Sequence, residues 1–227
     1  NYGCSFMPKI GFHSQHKILN SERLTLNLSY PTSQDLGMKN SHDEQKPDSL
    51  LDLQAPSLSA QQVKQRNAQI LKAANDFAEA IEADAFSARE NLVQEIFERL
   101  QVDKDLTWKE HAKLSVGLCD IRTRDGLLRK LHDAPELRGQ FLSHLIREVS
   151  RSTQEFTAPL ATVYAGIAWL EGQTELTRLA VDHALQIDSS YSLAQLLDIA
   201  LRHNVPPSVW SSSLAAVSFD ACLKGAA

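Results

Sequence analysis

The sequence predicts a mostly α-helical fold, and three observations carry that expectation. Beyond position 57, apolar residues recur at intervals of three, four and seven, the spacing that lines one face of a helix. Start signals stand ahead of these runs: Ser59 with Gln62, Ser87 with Glu90, and Thr107 with Glu110. The runs are separated by connections of a few residues, as in a compact helical domain. The chain divides into an N-terminal β-hairpin segment (1–31), a polar linker (32–57) and a helical domain (58–222).

In the first segment Leu24, Leu26 and Leu28 alternate with Thr25, Asn27 and Ser29, the period of a half-buried strand. Lys17–Leu19 precedes them across a polar turn, and Pro31 ends the ladder. Residues 32–57 offer few apolar side chains and two further prolines, Pro47 and Pro56, which is linker composition. A first helix then runs through Val63, Ile70, Leu71, Ala74, Phe77, Ala78 and Ile81, breaks near Asp84, and restarts at Ser87 through Leu92, Val93, Ile96, Phe97 and Leu100. Thr107 starts a helix with Trp108, His111, Ala112, Ser115, Leu118 and Cys119, and a short one follows through Leu127, Leu128 and Leu131. Pro135 and Pro159 each suit a first-turn position, where a missing N–H costs nothing. Pro135 opens a helix through Leu137, Phe141, Leu142, Leu145 and Val149, and Pro159 one through Val163, Tyr164, Ile167, Ala168 and Leu170. Thr174 caps a helix with Leu176, Leu179, Ala180, Ala184 and Leu185, which ends at Asp188-Ser189-Ser190. Leu193, Leu196, Leu197, Ala200 and Leu201 form another, and Pro206-Pro207 introduces a last one with Trp210, Leu214 and Val217. The expected total is about nine helices.

Composition narrows the function classes. Of the 227 residues 43% are hydrophobic, enough for a core, and the net charge of −5 repels polyanions on average, so nucleic acid is disfavoured as a partner. Cys4, Cys119 and Cys222 are too few and too scattered for a disulfide framework and fit a reducing, cytoplasmic compartment. No apolar run reaches the roughly 18 residues a membrane span needs, and no secretion signal is visible, so no membrane partner is expected.

Chemical motifs are sparse. The glycines are scattered, with no Gly-x-Gly, no Gly-Lys-Ser/Thr and no Gly-x-Ser-x-Gly string, so no nucleotide cofactor or nucleophile elbow is indicated. Ser14 and Lys17 stand at an acyl-enzyme spacing, but one such pair is expected by chance. Glu-x-x-His and His-Glu-x-x-His are absent. Cys4, His13 and His16 would need a fourth metal ligand, and a solvated loop explains them better. His144 and Glu148, one turn apart, read as an exposed hydrogen-bonded pair; His111 and His183 read as satisfied core or boundary histidines. No catalytic, cofactor-binding or metal residue is assigned.

The 122–151 stretch is mildly basic. Arg122, Arg124, Arg129, Lys130, Arg138, Arg147 and Arg151 face Asp125, Asp133, Glu136 and Glu148. Arg122, Arg124 and Arg129 are the candidate contacts for an anion or a partner. Without interleaved aromatics to stack bases, a solvated face with internal ion pairs is the better account, and Arg124-Asp125 reads as a structural pair at a helix start.

Trp169, Gly172, Ala180, Ala184-Leu185 and Asp188 resemble the spacing of one tetratricopeptide-type helix pair; a stacked array needs about three, so a local helical hairpin is expected. More broadly, Ala161–Leu201 and the Asp120–Asp125 step resemble the actinobacterial domain of unknown function 4192 family over about 100–210, as do Pro8–Leu19 and Leu24–Pro31 more weakly. The departures are Thr174 and Thr177 where that family favours Gly and Ala, Ser189 and Ser14 where it favours Pro, and a polar linker in place of its long middle section. The resemblance implies an internally shortened member and carries no activity, substrate or site residue. The leading expectation is a non-catalytic helical interaction or scaffold module with a protein partner. The alternatives are a nucleic-acid- or anion-binding protein using 122–151, and a degenerate enzyme remnant.

Overall fold

A computed structural model describes residues 58–102 and 106–224, and these are helical throughout apart from short connections. The elements are α1 (Ala60–Leu100), α2 (Trp108–Cys119), α3 (Ile121–Asp133), α4 (Pro135–Arg151), α5 (Gln154–Leu170), α6 (Thr174–Ile187), α7 (Ser192–Arg202), α8 (Pro207–Ala215) and α9 (Phe219–Lys224). The predicted β-hairpin and linker, with Ser14, Lys17, Cys4, His13 and His16, lie outside the described residues.

The start signals work as the sequence suggests. Ser59 Oγ accepts from the Gln62 N–H while Gln62 Oε1 accepts from the Ser59 N–H, satisfying two donors that a helix start leaves orphaned. Thr107 and Glu110 repeat the box on α2, and Arg99 holds the Glu110 carboxylate from α1 at 2.6 Å. The expected break near Asp84 is a kink inside one long helix. Asp84 leaves helical geometry (φ −157°, ψ 99°), and it, rather than Ser87, serves as the cap. Its carboxylate accepts from the N–H groups of Phe86 and Ser87, both at 3.1 Å, and from Ser87 Oγ at 2.7 Å.

Three other expectations need correction. Pro159 does not open α5: the helix starts five residues earlier at Gln154, and the proline lies inside it. One interior bond is lost there, and every side chain from Phe156 to Trp169 is buried, so tertiary packing overrides the local breaker. Leu71 is 58% exposed, because it lies two residues, about 200°, from Ala73, which takes the buried side of α1. The C-terminal run splits in two: α8 ends at Ala215, Val217 faces solvent, and the short α9 returns to bury Leu223.

The core is built around α5, which packs against α2, α3, α4, α6, α7 and α8. Its small residues permit that crowding. At Gly166 the space a Cβ would need lies 3.4 Å from both Leu128 and Trp210. The Trp210 indole N–H donates to the Gly166 carbonyl at 3.0 Å, and its ring stacks on Trp169 with centroids 6.1 Å apart. The α5–α6 connection is the expected helical hairpin, turned by Gly172 at φ +71°, a left-handed conformation that favours glycine. No described helix is long and apolar enough to cross a membrane.

Candidate functional site

The basic stretch is spent largely inside the fold. Arg124 is buried; its guanidinium pairs with Asp125 at 2.7 Å and donates to the Tyr191 hydroxyl at 3.0 Å, joining α3 to the start of α7. Burial works against the charged guanidinium, but Asp125 and Tyr191 outweigh it and raise its pKa. Burial pushes the Tyr191 phenol up, with Arg124 opposing. Arg129 pairs with Asp133 and donates to the Val217 carbonyl at 2.7 Å, tying α3 to the segment after α8. Arg138 donates to the Leu131 and His132 carbonyls at 2.8 and 2.5 Å, closing the C-terminal end of α3, and pairs with Glu171. Lys130 reaches Gln94 and lies over the rings of Phe97 and Phe219. Arg122 is half-buried on the same helix. Arg124 and Arg129 thus have donors committed to internal partners, so the three candidate arginines do not form one open cationic face.

A similar internal clamp joins α1 to α3. Arg89 grips both oxygens of Asp120, at 2.9 and 3.3 Å, and donates to the Leu223 carbonyl. The same carboxylate caps α3 by accepting from the N–H and hydroxyl of Thr123. Cys119 and Cys222 are half-buried thiols; Cys119 donates to the Ser115 carbonyl, and burial raises the Cys222 pKa.

A second polar cluster lies where α1, α2 and α4 meet. His144 and Glu148 are both buried, not exposed as the one-turn spacing suggested, because α1, α3 and α5 pack against α4. The Glu148 carboxylate meets Nδ1 of His111 on α2, and the His111 side chain is 1% exposed. Burial, then the guanidiniums of Arg66 and Arg151, push the His111 imidazole down to about 4. A ring that titrates that low is neutral at pH 7. Among the described residues, Nε2 of His111 and Oγ of Ser115 are buried without a hydrogen-bond partner. Arg66 donates to the Arg151 carbonyl at 2.6 Å and to the Asn67 side chain.

Beside this cluster a groove of about 540 Å³ opens between the first turns of α1 and the start of α2. Gln62, Gln65 and Gln69 line it from α1, Trp108 and Lys109 from α2, and Arg151 from the end of α4. Of these six the sequence singled out only Arg151 for binding, as part of the basic 122–151 stretch, although the glutamines recur at three and seven and so share a face. Among the described residues no group of three His, Cys, Asp or Glu side chains is placed to hold a metal ion.

The third feature is the outer side of α7. Leu193, Ala194, Leu197 and Leu201 are buried against the core, while Leu196 and Ile199 are 61% and 53% exposed. The expectation that Leu196 points inward is therefore corrected: it lies three residues from Leu193 and Ile199, toward the edge of the stripe that the core can cover.

A family model described as a domain of unknown function (DUF4192) matches residues 44–208, and the chain belongs to that family. The match spans α1 to the first residues of α8 and so includes the groove, the Arg124–Tyr191 and Arg89–Asp120 pairs, and α7. Comparison with curated proteins and with solved structures gave no match.

Proposed function

We propose that this family member is a helical interaction module whose α7 receives an amphipathic helix from a protein partner. The observation that carries the reading is that α7 is apolar on two sides. One side is buried by α5 and α6, and Leu196 and Ile199 on the other remain open to solvent. A helix with apolar side chains on both sides stabilises a layered arrangement only when a second layer covers it. Leu196 and Ile199 are three residues apart, so they form one ridge of the kind that seats in the groove of a neighbouring helix. The flank is polar and held in place: Arg202 pairs with Asp198 at 2.8 Å, leaving a charged rim beside an apolar centre.

The reading is tested by photocross-linking in the native cell from a probe at position 199, with position 178 on exposed α6 as control. A discrete protein adduct at 199, absent at 178 and lost in Leu196→Asp, is expected. No adduct, or the same adducts at both positions, overturns the reading; an adduct of twice the chain's mass replaces the foreign helix by a second copy.

A further inference from the structure

We propose that the groove between α1 and α2 is a binding site for a small organic oxyanion, a carboxylate or phosphate group carried on a flat or apolar body. The charge balance around it favours an anion. Lys109 and Arg151 line the groove and Arg66 bonds the Arg151 backbone, while the described residues that line it include no Asp or Glu. Of the nearby carboxylates, Glu148 is committed to His111 and Glu110 to Arg99 and the Thr107 cap, while Glu155 acts on Arg66. This local excess of positive charge belongs to a chain whose net charge is −5.

Arg151 sharpens that imbalance. Nε of its guanidinium is fully removed from solvent and has no hydrogen-bond partner among the described residues. Its backbone carbonyl, by contrast, is held by Arg66 at 2.6 Å, so the side chain is fixed at its root and unmatched at its tip. A half-buried cation without a counter-charge is unfavourable, and an incoming oxyanion relieves that cost while forming charge-assisted hydrogen bonds. The buried arginines Arg66, Arg124 and Arg138 instead donate to carboxylates or to side-chain and backbone oxygens within the fold.

The remaining lining fits the same ligand class. Trp108 and Lys109 are the first two residues of α2, so their N–H groups belong to the unpaired first turn, where the helix dipole favours negative charge. The three glutamines supply amide donors, and the half-buried Trp108 ring offers a surface for an apolar body. A volume of about 540 Å³ lies in the range of small-molecule sites. The site is independent of α7, so either proposal can fail without the other.

The experiment titrates the full chain with phenyl phosphate, benzoate and inorganic phosphate, reading tryptophan fluorescence and thermal shift. A saturable change with phenyl phosphate or benzoate is expected, weakening with added salt and by at least about tenfold in Arg151→Gln and Lys109→Gln. Trp108→Phe loses the fluorescence change but keeps the thermal shift. Without ligand, Arg151→Gln melts no lower than the wild type, because it removes an unmatched charge, and this separates loss of binding from loss of fold. A response to phenyl phosphate alone assigns the site to phosphates, and a response to benzoate alone assigns it to carboxylates. No saturable response to any probe, or equal affinity in both glutamine variants, overturns the proposal.

Discussion

His111 illustrates how a single residue writes a pH dependence into the fold. In the unfolded chain its imidazole titrates near 6.5, and in the folded chain near 4, because burial and two guanidiniums disfavour the cation. Between those values the unfolded state binds more protons, so stability rises with pH across the window, is complete above 6.5, and is lost as pH falls toward 4. The contribution is about 3 kcal/mol at most, since each tenfold change in proton affinity corresponds to about 1.4 kcal/mol. Urea titrations of the wild type and His111→Gln at several pH values between 6.5 and 4 check it. The variant retains an amide donor for Glu148, and its stability should change less across that window; parallel profiles would contradict the assignment. The sequence placed His111 in the core correctly, since it falls on an apolar stripe of α2. It could not show that Glu148 is the partner, because they lie 37 positions apart and only the tertiary fold brings them together.

Among the elements, α3 is held at both ends and along its side, and each fastening makes a measurable expectation. Asp120 caps its start and neutralises Arg89, so Asp120→Ala leaves a buried guanidinium unpaired and should cost about 3–5 kcal/mol. Asp120→Asn keeps an oxygen for the cap and should cost less; denaturant midpoints of the two variants decide the order. At the other side of α5, Trp210→Phe keeps a ring against Trp169 but removes the donor to Gly166, for a loss of about 1 kcal/mol. Calorimetry measures that loss, and an unchanged melting temperature would mean that the indole bond contributes nothing. Helix starts were legible at Ser59 and Thr107, where a side-chain oxygen caps the run, but Ser87 yields the cap to Asp84, and Thr174 is the first residue of α6 and makes no cap. They were illegible at α5, where Pro159 argues for a later start and burial of Phe156 decides for an earlier one. Arg138 shows the same limit: its charge is visible in the sequence, but its task of closing α3 depends on two backbone carbonyls, at 2.8 and 2.5 Å, that only the fold brings within reach.

For the whole molecule, periodicity was enough to give the fold class because α5 needs only apolar neighbours on every side, and the flanking helices supply them. Surfaces were harder. Leu196 reads as part of the same stripe as Leu193 and Leu197, and a stripe wider than the core can cover looks the same in sequence as one that is fully buried. The groove was missed for a related reason: glutamine, tryptophan and lysine on the outer turns of two helices are ordinary until their meeting point, and the unmatched Arg151 beside it, are seen. If α7 receives a partner helix, its open face is covered in the protein's working state. The most direct measurement is the rate of maleimide labelling of Ile199→Cys, in the purified chain and inside the native cell, against a Cys4→Ser, Cys119→Ser, Cys222→Ser background. Fast labelling of the purified chain with strong protection in the cell is the predicted result, whereas equally fast labelling in both would contradict the account.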